Sequence, residues 1–150
     1  MDTHSFDLLG DPMLDDDHAR LLDRVRALLA SSGRDAMPAL NALRVEAREH
    51  FDREDAELRS LGGNNAACHL DEHAAVLKSL DEVHDILGDA ATPAEAAQRL
   101  VASLTLELLR WLPEHVREMD AGLAAVRTKA RFGGAPLRIS RGLRSQTPAT

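Results

Sequence analysis

The chain has no tyrosine, three phenylalanines and one tryptophan. Such a shortage disfavours sheets, whose strands draw on aromatic and β-branched side chains, and points to helices rich in Leu and Ala. A single cysteine, Cys68, excludes an intrachain disulfide and a thiolate-rich zinc site, and fits a reducing compartment. The acidic segment Met1 to Asp17 carries no long apolar run, and none follows it. Neither a secretory leader nor a transmembrane segment is therefore expected, and the default location is cytoplasmic. Glu-x-x-His is absent, which excludes the carboxylate-rich di-iron pattern of ferritin-like bundles; so is the His-Glu-x-x-His of zinc proteases.

What is present is charge of uneven sign. Residues 1–126 hold all 25 acidic residues against 12 basic ones, while 127–150 hold 6 basic residues and no acid. An acidic body argues against nucleic acid as a partner. The 150 residues suffice for one domain with a core of its own.

Apolar residues recur at helical spacing in four stretches, roughly 14–30, 35–60, 66–87 and 94–123. Ser31-Ser32-Gly33, Gly62-Gly63-Asn64-Asn65 and Gly88 separate them. Thr92-Pro93-Ala94-Glu95 reads as the start of the fourth helix, with Thr92 as its cap. Short breaks between amphipathic helices predict an all-α, up-down-up-down four-helix bundle. The expected organisation is an N-terminal arm over 1–13, the bundle over 14–126 and a flexible basic tail over 127–150, whose protein partner is left open.

Seven potential metal donors sit on the apolar stripes: His18; His50 and Glu54; His69 and His73; His115 and Asp120. Residues four apart on a helix return to within about 40° of one another, so His69 with His73, and His50 with Glu54, can converge on one ion. Glu54 lies between Ala47 and Leu58 on an inward stripe, where an uncompensated carboxylate would cost several kcal/mol. His115 and Asp120 are five apart, about 140° on an ideal helix, so the fourth helix must loosen for both to face inward. Pro113 lacks a donor toward Leu109, which predicts a kink or π-like turn near 109–115. Imidazole and carboxylate donors without thiolate suit iron, manganese or zinc, and seven are too many for one ion. Cys68, next to His69, is expected to be a small buried residue. His4 and His84 are expected to take no part.

The pieces Asp17-His18, His50-Phe51-x-x-Glu54-Asp55, His69-x-x-x-His73 and Trp111-Leu112-x-x-His115-Val116-x-x-x-Asp120 resemble the hemerythrin family in its bacterial form, over roughly residues 11–123. The resemblance implies an oxo- or hydroxo-bridged pair of iron ions. His69, His73 and His115 would hold one iron, and His18 and His50 the other, which keeps an open position. Glu54 and Asp120 would bridge them. Phe51, Trp111, Leu112 and Val116 would line an oxygen pocket. The implied function is reversible binding of dioxygen, as carrier, store or sensor, rather than enzymatic turnover. A di-iron oxidoreductase acting on peroxide or nitric oxide is the alternative. The chain departs from the family in lacking a Tyr-Pro pair before the third-helix histidines, where Gly62 to Cys68 stand instead.

Overall fold

A computed structural model describes residues 8–63 and 65–131. Helix α1 spans Pro12–Leu29, α2 Met37–Leu61, α3 Ala66–Gly88 and α4 Ala94–His115. A short 3₁₀ turn, Gly33–Ala36, precedes α2. After α4 the chain takes one π-helical turn, Val116–Asp120, and continues as α5, Ala121–Arg131. No strand occurs among the described residues. No helix among them is long and apolar enough to cross a membrane.

Local chemistry sets the helix ends. The α1 helix begins two residues earlier than its stripe predicts, because Asp11 caps it. The Asp11 carboxylate accepts the Met13 and Leu14 amides, and Pro12 occupies the first turn, where a missing N–H costs nothing. Gly62 ends α2 at φ 74°, a left-handed conformation that favours glycine, and its amide bonds to the Leu58 carbonyl. The expected cap on α4 is not formed. Thr92 instead donates its hydroxyl to the Ile86 carbonyl at the end of α3, and α4 starts at Ala94 after an extended Pro93. The chain between α3 and α4 is so short that Thr92 reaches the orphan carbonyls behind it.

The helices close a ring in which α1 packs on α2 and α4, and α3 packs on α2 and α4. Their apolar faces meet in one core that includes Leu21, Val25, Leu40, Leu43, Phe51, Leu80, Val101, Leu108 and Leu112. Full burial of each such side chain contributes roughly 1.5–3 kcal/mol. Leu29 and Leu61, at helix ends, remain exposed.

The donors lie early in α1, late in α2, early in α3 and at the end of α4. In an up-down-up-down bundle these four places share one end, so connectivity alone gathers them. At the far end of the chain, Arg127 to Arg131 belong to α5. The remainder of the expected tail, 132–150, lies outside the described residues, as do 1–7 with His4, and Asn64.

Candidate metal centre

All seven predicted donors are brought together, each no more than 3% exposed. Each of the five clustered histidines turns its Nε2 toward a carboxylate of the cluster. His18 Nε2 lies 2.7 Å from Asp120 Oδ2, and His69 Nε2 lies 2.7 Å from Asp120 Oδ1. His50 Nε2 is 2.8 Å from Glu54 Oε2, and His73 Nε2 is 3.1 Å from Glu54 Oε1. His115 Nε2 is 3.1 Å from Asp120 Oδ1. The atoms form two groups, Glu54, His69, His73, His115, Asp120 and His18, His50, Glu54, Asp120. Within each, all ligand atoms lie within 4.8 Å of one another, and Glu54 and Asp120 belong to both.

The helix does loosen, but later than Pro113 predicts. The α4 helix runs through Pro113 to His115, and the π turn falls between His115 and Asp120. The Ala121 amide reaches back five residues to the Val116 carbonyl. Bonding of i to i+5 brings residues five apart onto one face, as i to i+4 does for residues four apart. The extra residue therefore lies where Asp120 must be turned inward, not where proline removes a donor.

Three outer nitrogens are held by carboxylates to which sequence reasoning assigned no role. His50 Nδ1 is 3.1 Å from Asp17, His73 Nδ1 is 2.6 Å from Asp55, and His115 Nδ1 is 2.7 Å from Glu72. Each carboxylate neighbours a donor on its own helix but serves a histidine of the next helix: α1 to α2, α2 to α3, α3 to α4. Adjacency to a ligand (Asp17-His18, Glu54-Asp55, Glu72-His73) was the available signal. Asp17 is also paired with Arg20 and Arg53. Its burial, which would raise the carboxyl pKa, is outweighed by Arg53 and His50, so the pKa falls below the ordinary value.

In a neutral imidazole that donates Nδ1–H to a carboxylate, the lone pair lies at Nε2, the atom that can bind a metal. His73 and His115 are both in this position, and their Nε2 atoms face each other at 3.1 Å. In that tautomer both lone pairs would point into one space, where a cation or a shared proton fits between them. Both Glu54 oxygens and Asp120 Oδ2 are buried and close to imidazole nitrogens, yet none is aligned for a hydrogen bond. Burial pushes the Glu54 and Asp120 carboxyls up, but their imidazole neighbours hold both well below the usual range. Burial pulls His69 down, but Asp120 and Glu54 outweigh it and raise His69 to about 9; His50 is raised likewise, by Glu54 and Asp17. Ionised carboxylates among convergent imidazole nitrogens are a donor set that suits metal cations without thiolate.

Aromatic rings brace this set. Phe51 stacks on His73 at 4.1 Å, and Trp111 stacks on His115 at 4.3 Å. Leu112 and Val116 are buried alongside. Phe51, Trp111 and Leu112 also border a small apolar void of about 10 Å³, which Val116 does not line. Cys68 is exposed, contrary to expectation. One residue from His69 is about 100° around the helix, so an inward His69 turns Cys68 out. His84 lies away from the cluster and pairs with Asp85 at 3.1 Å.

Comparison with known proteins agrees with this geometry. The profile of the Hemerythrin HHE cation binding domain matches residues 9–126. A bacteriohemerythrin of Ralstonia nicotianae is 30% identical over 112 residues, covering 75% of this chain and 77% of the relative. No solved structure gives a significant match.

Proposed function

The chain belongs to the hemerythrin family, and on that premise we propose that its cluster holds two iron ions and binds dioxygen reversibly. The observation that carries the reading is the pair of donor groups sharing Glu54 and Asp120. His69, His73 and His115 would hold one iron and His18 and His50 the other, with Glu54 and Asp120 shared between them. With two imidazoles against three, the second iron would have room for a ligand. When bound, the pair of irons supplies two electrons and an open position for dioxygen.

The protein's own residues do the rest. Asp17, Asp55 and Glu72 fix the tautomers of His50, His73 and His115, keeping each Nε2 free to donate electrons inward. Phe51, Trp111, Leu112 and Val116 keep water from the centre, which favours an apolar diatomic over its polar competitor. Among the described residues, no further acid–base side chain beyond the donors and their partners joins the cluster, which favours binding over turnover. A cytoplasmic setting, where exposed Cys68 stays reduced, suits a carrier or store of this kind.

The test is spectroscopic. Iron-loaded protein is reduced without oxygen, then exposed to it. A visible charge-transfer band that disappears under vacuum and returns with oxygen is expected. Irreversible oxidation, with peroxide consumed on addition, would replace this reading with the oxidoreductase alternative.

A further inference from the structure

We propose that Arg127 is a positioning residue for Asp120, locking the helical register that turns this carboxylate into the cluster. The proposal rests on the reading of Asp120 as a metal ligand. Arg127 lies on α5, seven residues beyond Asp120, which is two helical turns and hence the same face. Its Nε sits 3.3 Å from Asp11 Oδ2 and 3.2 Å from Glu57 Oε2. One guanidinium thus joins α5 to the N-terminal cap of α1 and to the late part of α2.

Asp11 is oriented by its capping role on α1. Its Oδ1 accepts the Met13 and Leu14 amides, leaving Oδ2 for Arg127. Asp11 is 6% exposed and Arg127 15%, so the pair is screened far less than a surface ion pair. Arg131, at 3.8 Å from the same Oδ2, is 55% exposed and adds little.

The π turn makes this contact consequential. It holds one residue more than an α turn, so the helix beyond it is rotated by about 100° relative to an unbroken helix. If Val116–Asp120 relaxed to α geometry, Asp120 would swing off the cluster. The same rotation would carry Arg127 away from Asp11 and Glu57. The ion pairs exist in the π register alone, and they favour it before any metal arrives. Asn65 adds a lesser hold on the turn, its amide reaching Met119 Sδ at 3.4 Å.

Amide hydrogen exchange on metal-free protein and Zn²⁺ titration, with zinc as a redox-inert probe, test the lock. Arg127→Met keeps the apolar stem and removes the charge. It is expected to speed exchange at amides 116–121 on the order of tenfold or more, with α2 and α3 changed less than about twofold. Zinc affinity should fall by about 10–100-fold, the range seen when a ligand's support is removed. Arg127→Lys should recover part of both effects, and Arg131→Met should leave both unchanged. Glu57→Gln, which spares the α1 cap, should give a smaller loss of the same pattern and carries the test if Arg127→Met does not fold. Unchanged exchange at 116–121, or a uniform rise across all helices, would overturn the proposal. Absence of metal binding in the parent protein would instead count against the metal reading, while exchange still decides the register lock.

Discussion

Removing Asp55 isolates the contribution of an outer carboxylate. The Asp55 carboxylate accepts the His73 Nδ1–H at 2.6 Å and is 16% exposed. A hydrogen bond to a charged partner at such a site contributes about 1.5–3 kcal/mol. Loss of outer support for a metal-binding histidine weakens metal binding by about 10–100-fold, or roughly 1.4–2.8 kcal/mol. The two routes agree, so Asp55→Ala should weaken Fe²⁺ binding by about that factor. Asp55→Asn keeps an acceptor without the charge and should lose about 1 kcal/mol, near fivefold. Glu72 supplies the comparison. It holds His115 at 2.7 Å but is 33% exposed, so water can take its place, and Glu72→Ala should lose less than about tenfold. Anaerobic competition against a chromophoric chelator measures all three. Binding by Asp55→Ala within about twofold of the parent, or a larger loss from Glu72→Ala than from Asp55→Ala, would refute the reasoning.

Other consequences follow from the same geometry. His73→Ala removes an Nε2 that faces both Glu54 and His115, and elemental analysis of iron-loaded protein should find the metal content lowered by about half or more; unchanged content would take His73 out of the metal set. Phe51→Ala leaves a cavity between the apolar core and His73 and should lower unfolding free energy in denaturant by about 3–5 kcal/mol, whereas a cost under about 1 kcal/mol would mean the core collapses around it. Metal-free protein should be less stable at both pH extremes. His69, raised from 6.5 to about 9, contributes stability that is complete below pH 6.5 and fades as pH rises through 9. Glu54, Asp120 and Asp17, all depressed, contribute stability that is present above about pH 4 and lost as pH falls further. Metal replaces the proton on His69, so melting curves of loaded protein should lack the alkaline decline; an identical decline in both forms would contradict this.

The fold and the clustering of the seven side chains were legible in the sequence because both depend on local spacing. Apolar stripes at helical period define four helices, and short breaks between them permit few arrangements. His69 with His73, and His50 with Glu54, lie one turn apart, so their helix alone turns each pair to a common side. Buried charge on an apolar stripe then demands a partner. Even the loosened turn of the fourth helix followed from the spacing of His115 and Asp120, although Pro113 misdirected its location.

Everything that crosses between helices was decided by tertiary structure. Asp17, Asp55 and Glu72 stand beside donors in the chain, yet each serves a histidine on another helix, and an acidic residue next to a ligand is indistinguishable in sequence from a solvated one. Arg127 belongs, by composition, to a basic tail; its role exists because α5 brings it between Asp11 and Glu57. Cys68 turns outward because its neighbour His69 turns inward. Periodicity along one helix tells which residues face inward, whereas the partner each one meets depends on the rotation and offset of a second helix, which no spacing within the first encodes.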